Sequence, residues 1–369
     1  MFILALMDAG RSESKPGIEQ NAEAEPSLVR RILFPSWRQR KRALRREAWL
    51  LVIGSYAAVV FAFLWPQDFR ETSQAYVAVS LIAFMVRVFE FHLGLLLVIV
   101  AVVSLHTRQW RLFAATIPLF LWTLGPAVWT YRPKTRPSLV GEVVTVASVN
   151  LLMVNRNSAP LVEEIRASGA DIVFLQEYTD HWHEVLRASL GQEYPYECHV
   201  CREDSFGAAI YSSRPFISEP ELDMPLGVSS LPQIRAVVEI SHRPVAIYNV
   251  HLLPPIGLEY TTETRLQFAD LLAHLAGESR PFILAGDFNF TERTPQAAAL
   301  RRLGLIEAFD QGGWGRGSTW PVNSVFRYVP GLRLDHIYLG GGLACSDCRV
   351  GQGRGSDHRP VIAKIGFSW

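Results

Sequence analysis

The chain has 369 residues and a formal net charge of +1, so it can hold more than one structural unit and, as a whole, is neither a strongly basic nucleic-acid binder nor an acidic disordered chain. That balance conceals a division: Trp49 to Tyr131 is mostly apolar and aromatic, whereas from Arg132 onward charge, Gly and Pro are spread as in a water-soluble domain. This second part holds 22 Lys and Arg against 26 Asp and Glu, which argues against a domain that grips long duplex nucleic acid by neutralising its phosphates.

Residues 1 to 27 are polar after a short apolar start, Phe2 to Met7, which lacks a basic flank and is too short for a secretory signal. Their composition predicts disorder. Arg30, Arg31, Arg38, Arg40, Lys41, Arg42, Arg45 and Arg46 follow as a basic run, read as the cytoplasmic flank of a membrane helix rather than a nucleic-acid patch. Residues 1–47 thus form a disordered to basic cytoplasmic segment, and residues 48–131 a membrane region.

Within that region Trp49 to Trp65 is uncharged and long enough for a short span, ended by Pro66. Ala75 to Leu105 is interrupted by Arg87, Glu90 and His92, which places a second span at about 88–105 and leaves Ala75 to Arg87 partly in the interface. Leu112 to Tyr131 supplies a third, with Trp122, Trp129 and Tyr131 suited to an interfacial belt. With three spans, the basic run and the Arg108/Arg111 turn share the cytoplasmic side. The C-terminal domain is then expected on the periplasmic or extracellular face of the cell (inner) membrane, with the lipid bilayer as a partner.

After a linker at 132–141, residues 142–369 alternate strand and helix signals. Val143 to Val149, Asp171 to Leu175, Val245 to Val250, Pro281 to Ala285, Leu334 to Leu339 and Pro360 to Ile365 read as strands, with helices around Leu161 to Ala167 and Glu259 to Leu275. The pattern predicts an α/β or α+β sandwich. Several apolar strands run into polar groups of one kind: Asn150, Gln176-Glu177, Asn249 with His251, Asp287 with Asn289, Asp335-His336, and Asp357-His358 before the last strand. Carboxylates, amides and imidazoles at strand ends can converge on one rim of a sheet and make a site on a rigid scaffold.

The stretches VASVNLL, DIVFLQE, YNVHL, LAGDFN, LDHIYL and GSDHRPV, in this order over roughly residues 143 to 367, resemble the endonuclease/exonuclease/phosphatase superfamily. With the preceding spans, the chain looks most like its membrane-anchored bacterial branch. The resemblance implies a four-layer α/β/β/α sandwich preceded by transmembrane helices, and hydrolysis of phosphodiester or phosphomonoester bonds by in-line attack of an activated water. It assigns Asn150, Glu177 and Asp357 to the metal, with Mg²⁺ the expected cofactor, Mn²⁺ an alternative and Ca²⁺ a substitute in vitro. It assigns Asp287 to the attacking water, Asn289 to a phosphate oxygen, His358 with Asp335 to the scissile phosphate, and His251 to phosphate binding or leaving-group protonation. Asn249 supports these from behind, and His336 is structural.

The substrate class stays open among phospholipid head groups, nucleic acid and inositol phosphates; no stable protein partner is evident. Arg202, Arg235, Arg354 and Arg359 are further phosphate candidates, although Arg at loops and strand ends is ordinary surface chemistry. No nucleotide P-loop occurs in the matched stretch. Two Cys-x2-Cys pairs, Cys198/Cys201 and Cys345/Cys348, suit disulfides, a Cys₄ zinc site or free thiols. A different class of function, a catalytically idle membrane sensor or scaffold that binds a phosphorylated ligand, would predict a missing core group, and none is missing.

Overall fold

The structure, a computed structural model, describes residues 37–322 and 328–368. The polar segment 1–27, with its apolar start, and Arg30 and Arg31 of the basic run lie outside the described residues.

The first helix, α1 (Trp37–Leu64), begins well before Trp49, so Arg38 to Arg46 lie on the first turns of the apolar helix itself rather than in a separate flank. Arg, Lys, Ala and Leu are strong helix formers and let the helix continue through the polar segment. Next come α2 (Gln74–Val88), α3 (Glu90–His106) and α4 (Trp110–Trp129). Helices α1 and α4 are each long and apolar enough to cross a membrane, and α2 with α3 qualify only as one pair, bent by 60° at their break. Helices α3 and α4 approach closely at Gly94, where a Cβ would lie 2.5 Å from Thr123 Oγ1. Small residues permit such contact between membrane helices.

The predicted interfacial stretch has a further role. Phe84 and Val88 of α2 join a buried cluster with Phe268, Leu271 and Leu275 of the C-terminal domain. One face of α2 is therefore spent on protein, not lipid.

The C-terminal domain is a two-sheet sandwich. One sheet runs β10-β11-β1-β2-β4-β3, with β1 (Leu139–Asn150), β2 (Ile172–Gln176), β3 (Tyr196–Val200), β4 (Ala208–Ser212), β10 (Leu343–Val350) and β11 (Val361–Ser368). The other runs β5-β6-β7-β9-β8, with β5 (Ile234–Ile240), β6 (Arg243–His251), β7 (Phe282–Asp287), β8 (Ile306–Glu307) and β9 (Asp335–Gly340). Alternation along the strands builds three apolar layers. Val144, Val146, Ile172, Phe174, Ile247, Ile283 and Ile337 face the partner sheet. Ala147, Val149, Val173 and Leu175 face outward onto α5 (Ala159–Ser168) and α6 (Asp180–Leu190). Tyr248, Val250 and Leu284 face α7 (Gly257–Gly277) on the other side. Two short helices, α8 (Pro295–Arg302) and α9 (Ala308–Gly312), complete the chain's elements among the described residues. The result is the expected four-layer α/β/β/α sandwich.

The six predicted strands are present, and β3, β4, β5, β8 and β10 add to them. The irregular register of β10 between Cys345 and Asp347 explains why its alternation was not legible. The cysteine pairs lie on β3 with its extension and on β10, opposite edges of one sheet, and all four are free thiols. A single Cys₄ site is therefore excluded. Cys198 enters the core between the sheets, whereas Cys201 packs against the outer cluster. Three residues apart on extended chain, they face opposite ways.

The N-terminal apolar helices meet the domain through polar contacts. Glu90, buried at the start of α3, pairs with Arg293 at 2.7 Å, and Arg87 Nε donates to Arg293 O at 2.7 Å. The Arg316 guanidinium lies 3.6 Å from the Phe91 ring centroid, Tyr131 meets Trp314 edge-on at 4.9 Å, and exposed Arg70 pairs with Asp270 at 2.9 Å. Removing one partner of a buried pair strands the other. Glu90→Ala should therefore lower stability by about 3–5 kcal/mol, and Arg70→Ala by under about 1 kcal/mol, measured by denaturant unfolding of the detergent-solubilised chain.

Candidate active site

Strand register alone gathers much of the predicted site. Parallel pairing of β1 with β2 sets Asn150 beside Gln176, with Glu177 next in the chain. In the other sheet, parallel β6 and β7 set His251 opposite Asp287, and antiparallel β9 sets Asp335 on the far side of Asp287. Antiparallel β11 returns along β1 and brings the Ser356-Asp357-His358 turn to the same end. Ser356 Oγ donates to Asn150 O at 2.8 Å and accepts from His358 N at 3.0 Å, which fixes that turn.

Asp287 is the centre of the cluster. Its Oδ2 accepts from Asn150 Nδ2 at 3.2 Å and lies 3.6 Å from His251 Nε2 and 3.7 Å from His358 Nε2, while Oδ1 accepts from Asn289 N at 3.0 Å. Only 2% of the residue is exposed. Burial raises its pKa, opposed by His358, and Asp335 adds to the rise. The strand reaches this position because Gly286 has φ +148 and a Cβ there would lie 1.8 Å from Val250 O. No other residue permits that approach of β6 and β7.

His358 Nδ1 lies 2.8 Å from Asp335 Oδ2. Burial alone would lower the imidazole pKa, but Asp335 and then Asp287 override it and push the value up to about 10. His358 is thus an imidazolium at neutral pH. Its folded pKa exceeds the ordinary value of about 6.5, so its contribution to stability is complete below about pH 6.5 and is lost as pH rises through about 10.

Glu177 has φ +57, a left-handed conformation rare outside glycine. Such strain, about 1–3 kcal/mol, persists where surrounding bonds over-determine it and marks functional positions. Here Asn150 Nδ2 donates to Oε1 at 3.0 Å and Met153 N to Oε2 at 2.8 Å, while Tyr178 N donates to Gly207 O at 3.0 Å. Asn289 also has positive φ, +52, and its Nδ2 donates to Leu252 O at 2.8 Å, leaving one amide N–H. Asp357 accepts from Trp320 Nε1 at 3.2 Å through Oδ2, and its Oδ1 is buried without a hydrogen-bond partner.

His251 is held by its backbone: His251 N donates to Gln233 Oε1 at 2.9 Å, and Gln233 Nε2 donates to His251 O at 3.1 Å. Phe206 lies beside its ring at 5.2 Å. Asn249 does not reach this cluster. Buried between the sheets, it accepts from Gln176 Nε2 at 2.6 Å and donates to Leu175 O and Ala209 O. His336 lies apart, stacked on Phe290, with Nε2 3.0 Å from Phe290 O. The four candidate arginines are engaged elsewhere: Arg202 with Asp204, Arg235 with Glu278, Arg354 with Gln352 and Arg359 with Ser318 O. Gln233 and Trp320 were invisible as contributors, because only folding brings them to the site; Ser356 lies within the GSDHRPV stretch, and the structure adds its role in fixing that turn.

The Asp335 pairing predicts that Asp335→Asn moves the His358 titration from about 10 down toward about 6.5. NMR of ¹³C-labelled histidine in the detergent-solubilised chain would read that shift.

The family model of the Endonuclease/Exonuclease/phosphatase family matches residues 147–358. The UPF0294 protein VV2535 of Vibrio vulnificus is 32% identical over 106 residues, 28% of this chain and 34% of that protein, and a counterpart from a second strain gives the same figures. The chain thus spans about a third of the length of the curated relatives it matches. Among solved structures, an endonuclease/exonuclease/phosphatase family protein from Leptotrichia buccalis has a TM-score of 0.51 at 17% identity, over 61% of this chain and 100% of that one. Truncated Caenorhabditis elegans TDP2 has a TM-score of 0.51 at 19% identity, over 63% and 100%. The 3′ phosphatase NExo from Neisseria, bound to product DNA hairpin, has a TM-score of 0.50 at 21% identity, over 61% and 100%. At these identities the structural likeness concerns the fold.

Proposed function

The chain belongs to the endonuclease/exonuclease/phosphatase family, a family of phosphate-ester hydrolases, and from that premise we propose that it is a membrane-anchored, Mg²⁺-dependent phosphoesterase acting on substrates presented at the bilayer surface. The observation that carries the reading is the buried Asp287, flanked by His251, His358 and Asn150 at one end of the sandwich.

The donor set fits a hard divalent cation. Glu177 and Asn150 offer side-chain oxygens, and Asp357 Oδ1 is a buried carboxylate oxygen with no donor of its own. One ligand atom each of Asp287, Asp335 and His358 also lie within 4.8 Å of one another. We favour Glu177, Asn150 and Asp357, because all three offer oxygen, whereas His358 and Asp335 of the other group are already bonded to each other. Mg²⁺ there, or Mn²⁺, would neutralise charge on the phosphoryl oxygens.

Asp287 orients the attacking water and accepts its proton as the oxygen–phosphorus bond forms, a role suited to a carboxylate whose pKa burial raises. Asn289 offers its remaining N–H to a phosphoryl oxygen. His358, held by Asp335, presents an imidazolium to another. His251 protonates the leaving oxygen as the ester bond breaks. No covalent enzyme intermediate is required.

The membrane reading rests on the apolar helices and on the contacts that tie the domain to them. Counted as three spans, with the bent α2–α3 pair as the second, the helices would put the Arg108/Arg111 turn and the basic start of α1 on the cytoplasmic side, and the C-terminal domain outside. An anchored domain meets lipid head groups at high local concentration, and its acidic balance disfavours duplex nucleic acid.

Full-length protein in detergent should hydrolyse bis-p-nitrophenyl phosphate with Mg²⁺ and stop on chelation. Asp287→Ala should lower kcat by about 10²–10⁴-fold without unfolding the chain. Near-normal turnover by that variant would overturn the assignment, and no turnover with any divalent ion would favour a phosphate-binding scaffold. In proteoliposomes, phospholipid head-group release should exceed cleavage of added DNA or RNA, and protease protection should find the C-terminus outside the cytoplasm.

A further inference from the structure

Away from the hydrolytic site, at the edge strand β3, a second group of ligand-type side chains converges. One imidazole nitrogen each of His183 and His199 and the Cys201 sulfur lie within 4.8 Å of one another, all half-buried. The convergence has a simple origin. His199 and Cys201 are two apart on extended chain and face the same way, toward the helical layer. His183 lies on α6, one turn after Asp180, so these two share a helix face turned to the strand. Packing of Trp182 and Leu186 of α6 beneath the sheet, in the cluster that Cys201 borders, brings the two faces together.

The surroundings are those of a ligand set. The His183 and His199 ring centroids are 4.3 Å apart at an interplanar angle of 33°, an arrangement that two imidazolium ions would resist. Tyr178 Oη lies 3.0 Å from His183 Nδ1 and 2.8 Å from Tyr211 Oη, so this imidazole has a buried outer partner of the type that fixes a ligating histidine.

We propose that His183, His199 and Cys201, with a water as fourth ligand, form a Zn²⁺ site separate from the hydrolytic centre. Two imidazoles and a thiolate, completed by a water, make a tetrahedral set for zinc and a poor one for Mg²⁺, which prefers oxygen. The site would fasten α6 to the edge strand β3. It would also secure Glu177-Tyr178, which stand just before α6 and are bonded to the 202–207 loop through Arg202 N to Tyr178 O and Tyr178 N to Gly207 O.

Cobalt(II) reports such a site independently of hydrolysis. Full-length protein in detergent, stripped by chelator, would be titrated with Co²⁺ alone and then with Zn²⁺. One equivalent of Co²⁺ should give the intense visible bands of tetrahedral cobalt and a thiolate-to-cobalt charge-transfer band, and Zn²⁺ should abolish both. Cys201→Ser should lose the charge-transfer band, and Tyr178→Phe should weaken Co²⁺ binding by about tenfold or more. Glu177→Gln and Cys345→Ser should keep the full spectrum, separating this site from the hydrolytic metal and from the other cysteine pair. No charge-transfer band in the wild-type protein, or one that survives Cys201→Ser, would overturn the proposal.

Discussion

Asp287 puts a carboxylate where almost no water reaches it, and the surrounding structure answers that burial. A carboxylate removed from solvent must be paired and hydrogen-bonded or give up its charge. Here Asn150 and the Asn289 backbone donate to it, and two imidazoles stand within 4 Å. Each donor arrives from a different strand end. Asp287 therefore ties the two sheets together at the end where the chemistry is proposed, and its proton affinity depends on every one of them.

The second imidazole carries this dependence outward. Asp335, one strand over from Asp287, holds His358 as a cation, so the buried cluster is two carboxylates around one imidazolium rather than two bare anions. That balance keeps the cluster from repelling itself apart while burial raises the proton affinity of Asp287. It also fits the proposed division of labour, in which the side-chain oxygens of Glu177 and Asp357 take a cation and the imidazolium takes a phosphate.

The same domain is joined to apolar helices by a few buried contacts instead of a free linker. The Glu90 and Arg293 pair, the Arg87 contact to the Arg293 backbone, and the seat of α2 on α7 make the helices an extension of the domain's own core. Charges at 87 and 90, which read as interruptions of a membrane span, are the partners of this joint. Their physical reason lies in another part of the chain, which no local pattern can express.

Much was determined by the sequence alone: strand periodicity gave the sandwich, and the polar group ending each apolar run gave nearly every residue now found around Asp287. Those signals are local, because alternation and strand termination are properties of neighbouring residues. What only the tertiary structure decided is relational. It separated Cys198 from Cys201 onto opposite faces and divided the two cysteine pairs between opposite sheet edges; it brought His183 to His199, and enlisted Gln233 and Trp320 at the site. Side-chain direction and strand order are set by packing between segments distant in the chain, so they became legible only once the sheets had closed on one another.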